Sequence, residues 1–376
     1  MTTLTSRERI MRIFRNQQID RPSLKLWGAT MDLNMLHPAY QPIQDLAWEL
    51  TDIYDGFHGG IDLIAGANNH LWELTEVPTA DPNWVEHHTV LHTPKGDLYQ
   101  IYQFSTIGEP GYMIRYLVQD EEDLEKLASV PYEPVHFTQF DALELRKAKL
   151  GEKGVVMINL PHAGFALQCQ TGSENLAYFS VDCRELVDSL IGTYAARLLD
   201  YVKEIIAQGI TDTPFAWCGP ELLTPPLLTP QDFMDFCYKY DKPLCDAIHD
   251  GGNYVWVHCH GKVAKLLDAY IDMGVDVLNP LEPPKNGDIH LSADVAKYGN
   301  RIGWEGNIEI QDILLSSKEE VRRLISECVD AGAPSGRFIL CPSAGYMEYP
   351  QLTEHYLENL KEYLRFGYEC VEKWRK

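Results

Sequence analysis

Along the second half of the chain, short apolar runs alternate with longer stretches in which apolar residues recur every three or four positions. Strands buried on both faces give the first pattern, and amphipathic helices give the second. Ser180, with Asp182 in the first turn, predicts the start of a helix that runs to Ala207 and stops at Gly209. A strand is expected at 213–217. Thr229 then caps a helix over 230–249 that ends at Gly251 and Gly252. Residues 253–258 enclose Tyr254-Val255-Trp256-Val257, a β-rich run. The rhythm continues with a helix over 262–273 closed by Gly274, a strand at 275–279, a helix over 291–297 stopped by Gly299 and a strand at 302–306. It finishes with a helix over 318–330 between Ser317 and Gly332, a strand at 337–341 and a final helix over 353–373.

The first half is less regular. Residues 61–65 and 155–160 read as strands, and a helix begins at 120–127. Between the two strands, residues 71–116 form a strand-rich insertion with Tyr, Thr and His alternating. No Gly/Ser/Pro-rich linker flanks it, so residues 1–376 are expected to be one domain. Strand–helix units in series imply a parallel sheet covered by helices. Their number favours a closed (β/α)₈ barrel of the TIM type, with an N-terminal extension and the insertion, over an open sheet. No Gly-x-Gly-x-x-Gly turn supports a doubly wound alternative.

Composition narrows the function. The chain has 376 residues with 45% hydrophobic and 23% charged residues, as in a soluble globular protein. Its formal net charge is −23, which repels phosphate backbones and anionic lipid and argues against nucleic-acid or membrane-surface partners. Residues 1–20 are charged and amphipathic without a signal-type apolar segment, and no run of ~20 apolar residues could span a bilayer. Nine cysteines without a CxxC pair read as thiols of a reducing cytoplasm.

In a parallel barrel the active site lies at the C-terminal ends of the strands. The polar residues there are Asn159 and His162, Glu221, His258 and His260, Asn279 and Glu282, Glu305 and Asn307, and Cys341 and Ser343. His258-Cys259-His260-Gly261 is the sharpest signal. Strand alternation puts both imidazoles on one face and turns Cys259 away as a packed thiol. Two imidazoles so placed can hold a metal ion such as zinc, with Cys341 as third ligand or Glu221 and Glu282 as oxygen ligands. They can equally hydrogen-bond an anionic substrate without a metal. Glu282, framed by Pro280, Pro283 and Pro284, is a candidate ligand, acid/base or orienting group. Gly219-Pro220-Glu221 and Gly306-Asn307 are similar strand-end turns, in which Asn307 can donate and accept. Trp217, Trp304, Tyr346 and Tyr349 are candidate aromatic walls. No G-x-S-x-G elbow, P-loop, kinase set or HExxH occurs, which argues against serine hydrolysis and phosphoryl transfer.

These residues resemble the uroporphyrinogen decarboxylase superfamily. Ser6-Arg7-Glu8-Arg9-Ile10 with Asp20-Arg21-Pro22 looks like its opening. His258-Cys259-His260-Gly261, Gly274-Val275-Asp276, Gly306-Asn307-Ile308 and Ile339-Leu340-Cys341-Pro342-Ser343 are similar to its C-terminal half. The resemblance implies the barrel and one of two chemistries. True decarboxylases act on uroporphyrinogen without a cofactor and grip its carboxylates with two arginines in Met-Arg-Gln-Ala-Gly-Arg; the matching stretch here, Leu26-Trp27-Gly28-Ala29-Thr30-Met31, has neither. The other branch, which this chain resembles more, consists of zinc-dependent methyltransferases that work with corrinoid proteins. Its zinc motif is His-x-Cys plus a late Pro-Gly-Cys-Gly. Here His260 replaces the first Cys, and Pro342-Ser343-Ala344-Gly345 lacks the second, so Cys341 stands nearest. A harder ligand set suits a substrate oxygen, such as a methyl ether, better than a thiol. The resemblance therefore implies a small methylated substrate, a partner corrinoid protein carrying cobalamin, and homodimers as a common assembly. A decarboxylase and a non-catalytic binding barrel are the rival readings.

Overall fold

The computed structural model describes residues 3–31, 40–345 and 353–376. Its strands, in chain order, are β1 (Ser23–Leu24), β2 (Ile53–His58), β3 (Trp72–Pro78), β4 (Trp84–Leu91), β5 (Leu98–Ser105), β6 (Tyr112–Arg115), β7 (Gly154–Leu160), β8 (Pro214–Cys218), β9 (Tyr254–His258), β10 (Val277–Asn279), β11 (Gly303–Ile308) and β12 (Phe338–Pro342). Eight of them form one parallel sheet in the order β1-β12-β11-β10-β9-β8-β7-β2. Its two ends meet: the Asp52 N–H donates to the Leu24 carbonyl at 2.9 Å, and the Tyr54 hydroxyl donates to Ser23 Oγ at 3.1 Å. The sheet is therefore curled into a barrel whose strands run round it in chain order once β3–β6 are set aside.

The helices are α1 (Ser6–Phe14), α2 (Gln41–Leu50), α3 (Glu121–Ala128), α4 (Phe140–Leu150), α5 (Ala163–Asp182), α6 (Arg184–Ala207), α7 (Pro230–Phe233), α8 (Lys239–Asp250), α9 (Leu267–Met273), α10 (Leu291–Tyr298), α11 (Ile310–Leu315), α12 (Lys318–Gly332) and α13 (Glu354–Lys373), with a π-turn at Met234–Tyr238. Thr229, Ser317 and Thr353 each accept a backbone N–H at the starts expected of them. Among the described residues no helix is long and apolar enough to cross a membrane.

The insertion is the antiparallel meander β3-β4-β5-β6, a sheet separate from the barrel. Leu91 and Leu98 from it join the main hydrophobic core. Two expectations are corrected. The second barrel strand is β2, whereas 61–65 is irregular. There the Asp62 carboxylate accepts the N–H groups of Ile64 and Ala65 at 2.8 and 3.3 Å, a local turn that competes with strand pairing. Ser180 lies in the last turn of α5, donating to the Ala177 carbonyl at 2.7 Å. The helix that runs to Ala207 is α6, which begins at Arg184 after Cys183, whereas α5 begins where His162 Nδ1 accepts the Phe165 N–H.

Two cores result. The larger lies between the strands and the outer helices. The smaller fills the barrel: Ile10, Ile13 and Phe14 of α1 close its N-terminal end beneath Tyr54, Met157, Trp256, Ile339 and Cys341. Arg337 fixes α1 there by donating to the carbonyls of Ile13 and Phe14. Only the opposite end is left for a site.

Two predictions follow from this packing. Phe14 is 1% exposed, so Phe14→Ala is expected to cost about 3–5 kcal/mol of stability, read from denaturant unfolding. His249 Nε2 lies 2.9 Å from Asp276 Oδ2, and that hydrogen bond raises the imidazole above its ordinary value against the opposing effect of burial. A raised folded value stabilises the protein fully below the unfolded value, and the contribution is lost as pH rises through the folded one. The melting-temperature gap between wild type and His249→Gln should therefore be widest below about pH 6.5 and narrow as pH rises.

Candidate active site

On β9 the alternation turns Val255 and Val257 outward and Trp256 and His258 inward. The chain continues through Cys259 to His260. The two imidazoles do meet, ring centroids 4.5 Å apart and edge-on. Each has its Nδ1 engaged: His258 with Asn279 Oδ1 at 2.6 Å, and His260 with Glu282 Oε1 at 2.7 Å. Nε2 of neither ring has a hydrogen-bond partner among the described residues. Cys259 is buried, as expected of a packed thiol.

Environment separates the two rings. Burial pushes His258 down to about 4, and the neighbouring His260 and Lys25 act in the same direction. Burial would lower His260 as well. The hydrogen bond to Glu282 and the charges of Glu282, Glu221 and Glu309 outweigh it, so His260 lies above its ordinary value.

The two carboxyl groups diverge likewise. Glu282 is buried, which alone would raise it; the bonds from His260 and from the Gly261 N–H (2.8 Å) hold it below the usual range. Glu221, on the short turn after β8, is raised by burial, and its Oε2 is enclosed without a partner. Carboxyl groups driven apart in this way suit different jobs, one staying ionised and one carrying a proton.

Asn307 does not face the two histidines. Its Nδ2 donates to the Leu281 carbonyl at 2.7 Å, so it braces the turn that carries Glu282. Cys341 pairs in register with Asn307 but is fully buried inside the barrel, where burial and adjacent Glu305 push its thiol well up. The expected trio of His258, His260 and Cys341 is not brought together: Cys341 is packed within the smaller core, against Glu305. Among the described residues one group of three ligand-type side chains has its ligand atoms all within 4.8 Å of one another: His162, Cys237 and Asp241, all buried. There His162 Nε2 lies 3.1 Å from Asp241 Oδ2, and the Cys237 thiol donates to the same oxygen at 3.3 Å. His162 Nδ1 already accepts the Phe165 N–H, so Nε2 carries the proton and the trio is a satisfied hydrogen-bond cluster.

A cavity of about 980 Å³ opens over the ends of β1, β2, β7 and β8. Its walls include Trp27, Tyr54, Phe57, Phe165 and Trp256. Trp27 meets the edge of His258 at 5.3 Å between ring centroids, joining cavity and histidine pair. Of the expected aromatic walls, Trp217 lines the cavity. Trp304 instead packs in the outer core with its Nε1 on the Gly299 carbonyl. Tyr346 and Tyr349 lie outside the described residues.

Lys25 was not expected at the site, although it directly precedes the arginine-free stretch 26–31. Its Nζ reaches into the barrel, 2.6 Å from Glu305 Oε1, with the rings of Trp27, Tyr54 and Trp256 at 4.5–4.7 Å. Glu305 also accepts from Trp256 Nε1 at 2.8 Å and from Asn279 Nδ2 at 3.0 Å. Arg146, the other cation on the cavity wall, is paired with buried Asp55.

A curled parallel barrel with imidazoles and carboxyl groups at one mouth defines a (β/α)₈-barrel protein with an enzyme-like site. The chain belongs to the uroporphyrinogen decarboxylase (URO-D) family, which its residues 103–365 match. No curated protein matches it in sequence. Among solved structures it is similar to a methyltransferase from Methanosarcina mazei, with 13% identity, a TM-score of 0.60, and 97% of this chain and 99% of that one covered. It is more distantly similar to a Bacteroidetes-affiliated cellulase, with 14% identity, a TM-score of 0.38, and 68% and 76% covered. At these identities the likeness is one of fold.

Gly306 gives the site its test of rigidity. Its φ is +154°, and a Cβ there would stand 1.9 Å from the Pro280 carbonyl oxygen. Gly306→Ala is expected to displace the turn that carries Glu282, lowering the melting temperature and releasing the His260–Glu282 contact. Calorimetry and histidine NMR would read both.

Proposed function

We propose that this chain is a methyltransferase that takes a methyl group from a small O-methylated compound, of the aryl methyl ether kind, and delivers it to a corrinoid protein. The observation that carries the reading is the paired imidazoles, each anchored through Nδ1 by a neighbour that orients the ring and leaves Nε2 without a partner among the described residues. Metal-binding histidines are oriented in this way. His258 and His260 would hold zinc, their rings meeting edge-on with each Nδ1 already engaged. When bound, zinc supplies Lewis acidity at the substrate oxygen.

The chain's own residues do the rest. Phe57 and Phe165 on the cavity wall offer aromatic surface to an apolar substrate. The carbon–oxygen bond breaks with both electrons staying on oxygen. Glu221, raised by burial, is placed to give that oxygen a proton, while Glu282 stays ionised and holds His260. The methyl acceptor is cobalt(I) of the partner's corrinoid, an assignment that rests on the family resemblance.

Decarboxylation is the second reading, favoured by the presence of Lys25 and Arg146 at the cavity. Both cations are already matched by Glu305 and Asp55, so neither is a ready anchor for a substrate with several carboxylates. A surface of net charge −23 disfavours such a substrate further.

Metal content by mass spectrometry, with His258→Ala and His260→Ala alongside, tests the proposal. About one zinc per chain, lost in both variants, is the expected result. It should go with methylation of added cob(I)alamin by an aryl methyl ether, followed by absorbance. Metal-free protein from a chelator-free preparation that consumes uroporphyrinogen would sink the methyltransferase reading.

A further inference from the structure

We infer that Asn279 and Glu305 are positioning residues that lock the neutral His258 ring in the Nδ1–H tautomer, so that Nε2 is left as a bare electron pair. The inference deepens the reading of His258 as a working group and rests on that reading for its significance. Its geometry stands without any metal.

Two groups at this site have a hydrogen-bond polarity that cannot be reversed. The Lys25 ammonium has donors only, and the Trp256 indole N–H is a donor only. Both point at Glu305, at 2.6 and 2.8 Å. The Glu305 carboxylate is therefore the acceptor of this group. Asn279 also faces Glu305, at 3.0 Å, and an amide can meet a carboxylate only with its NH₂ edge. That fixes the rotation of the Asn279 amide, leaving Oδ1 toward His258 Nδ1 at 2.6 Å. An oxygen acceptor at that distance requires a proton on Nδ1. A neutral imidazole carries one ring proton, so Nε2 has none.

The chain of constraint is therefore directional, from Lys25 and Trp256 through Glu305 and Asn279 to His258. All its members are buried, and Glu305 and Asn279 fully so. An unsupported imidazole in water favours the opposite tautomer, with the proton on Nε2, where it could neither coordinate a cation nor accept a proton. Asn279 and Glu305 touch nothing in the cavity through their own functional atoms; they act through His258.

The test needs neither substrate, metal nor corrinoid. Full-length chain labelled with ¹⁵N-histidine and treated with chelator is placed at neutral pH, and the His258 ring is read by long-range ¹H–¹⁵N NMR, with His258→Gln assigning its signals. The expected pattern is a protonated Nδ1 and a pyridine-like Nε2. An Nε2–H pattern in the wild type would overturn the inference. Asn279→Leu, which removes the acceptor, should move His258 to the Nε2–H form or a mixture. Glu305→Gln, which never touches the ring, should lose the single-tautomer signal. An unchanged Nδ1–H pattern in either folded variant would remove that residue's role, and should both variants fail to fold, the wild-type spectrum decides alone. A chain that holds no zinc before chelation and shows the expected tautomer would end the proposed function and leave this inference standing.

Discussion

The ion pair of Lys25 with Glu305 is the constraint from which the mouth of the barrel is built. A carboxylate taken wholly out of water must be surrounded by donors, and breaking such a pair by removing one partner costs about 3–5 kcal/mol. Glu305 finds its donors on the residues following β1 and on β9 and β10, and it abuts Cys341 on β12. Five neighbouring parts of the barrel thus share one charge. Three aromatic rings pack round the ammonium, and two of them, Trp27 and Trp256, also flank His258. The floor of the cavity and the back of the histidine pair are therefore one object.

Above that floor the chemistry is sorted by burial. His258 is kept neutral, His260 is kept close to a carboxylate, Glu282 is held ionised and Glu221 is left enclosed with a raised value. The family match gives the chain its lineage, and the residues at the mouth give it a character within that lineage. Two imidazoles stand at the strand end, and the cations on the cavity wall are already satisfied.

The sequence made the second half of the barrel legible because its parallel strands are buried on both faces and read as plain apolar runs. Its helices also begin on side chains that cap them, Thr229, Ser317 and Thr353. The same logic failed at β2, where Asp55 and Gly56 interrupt the run, because that strand carries a buried partner for Arg146. It failed at β1, only two residues long. At the site, strand alternation placed His258 and His260 together, and position after a strand singled out Glu221 and Glu282. Cys341 shares the inward parity of His258 but sits in the closed core against Glu305, a depth that alternation does not report. Nor does a lone lysine in an apolar segment announce that it will point inside: the carboxylate acceptor that makes Lys25 tolerable, Glu305, lies 280 positions further along the chain.

The helix α1 has one further consequence. Because Ile10, Ile13 and Phe14 stopper the barrel at its N-terminal end, the site is a cul-de-sac. Whatever reaches the histidine pair arrives and departs through one doorway. A small molecule and a large protein that both need that doorway must use it in order, the small one first and the large one closing over it, or must take turns. Traffic at the mouth is thus as much a property of this fold as its chemistry, and it is set by three apolar side chains at the far end of the barrel.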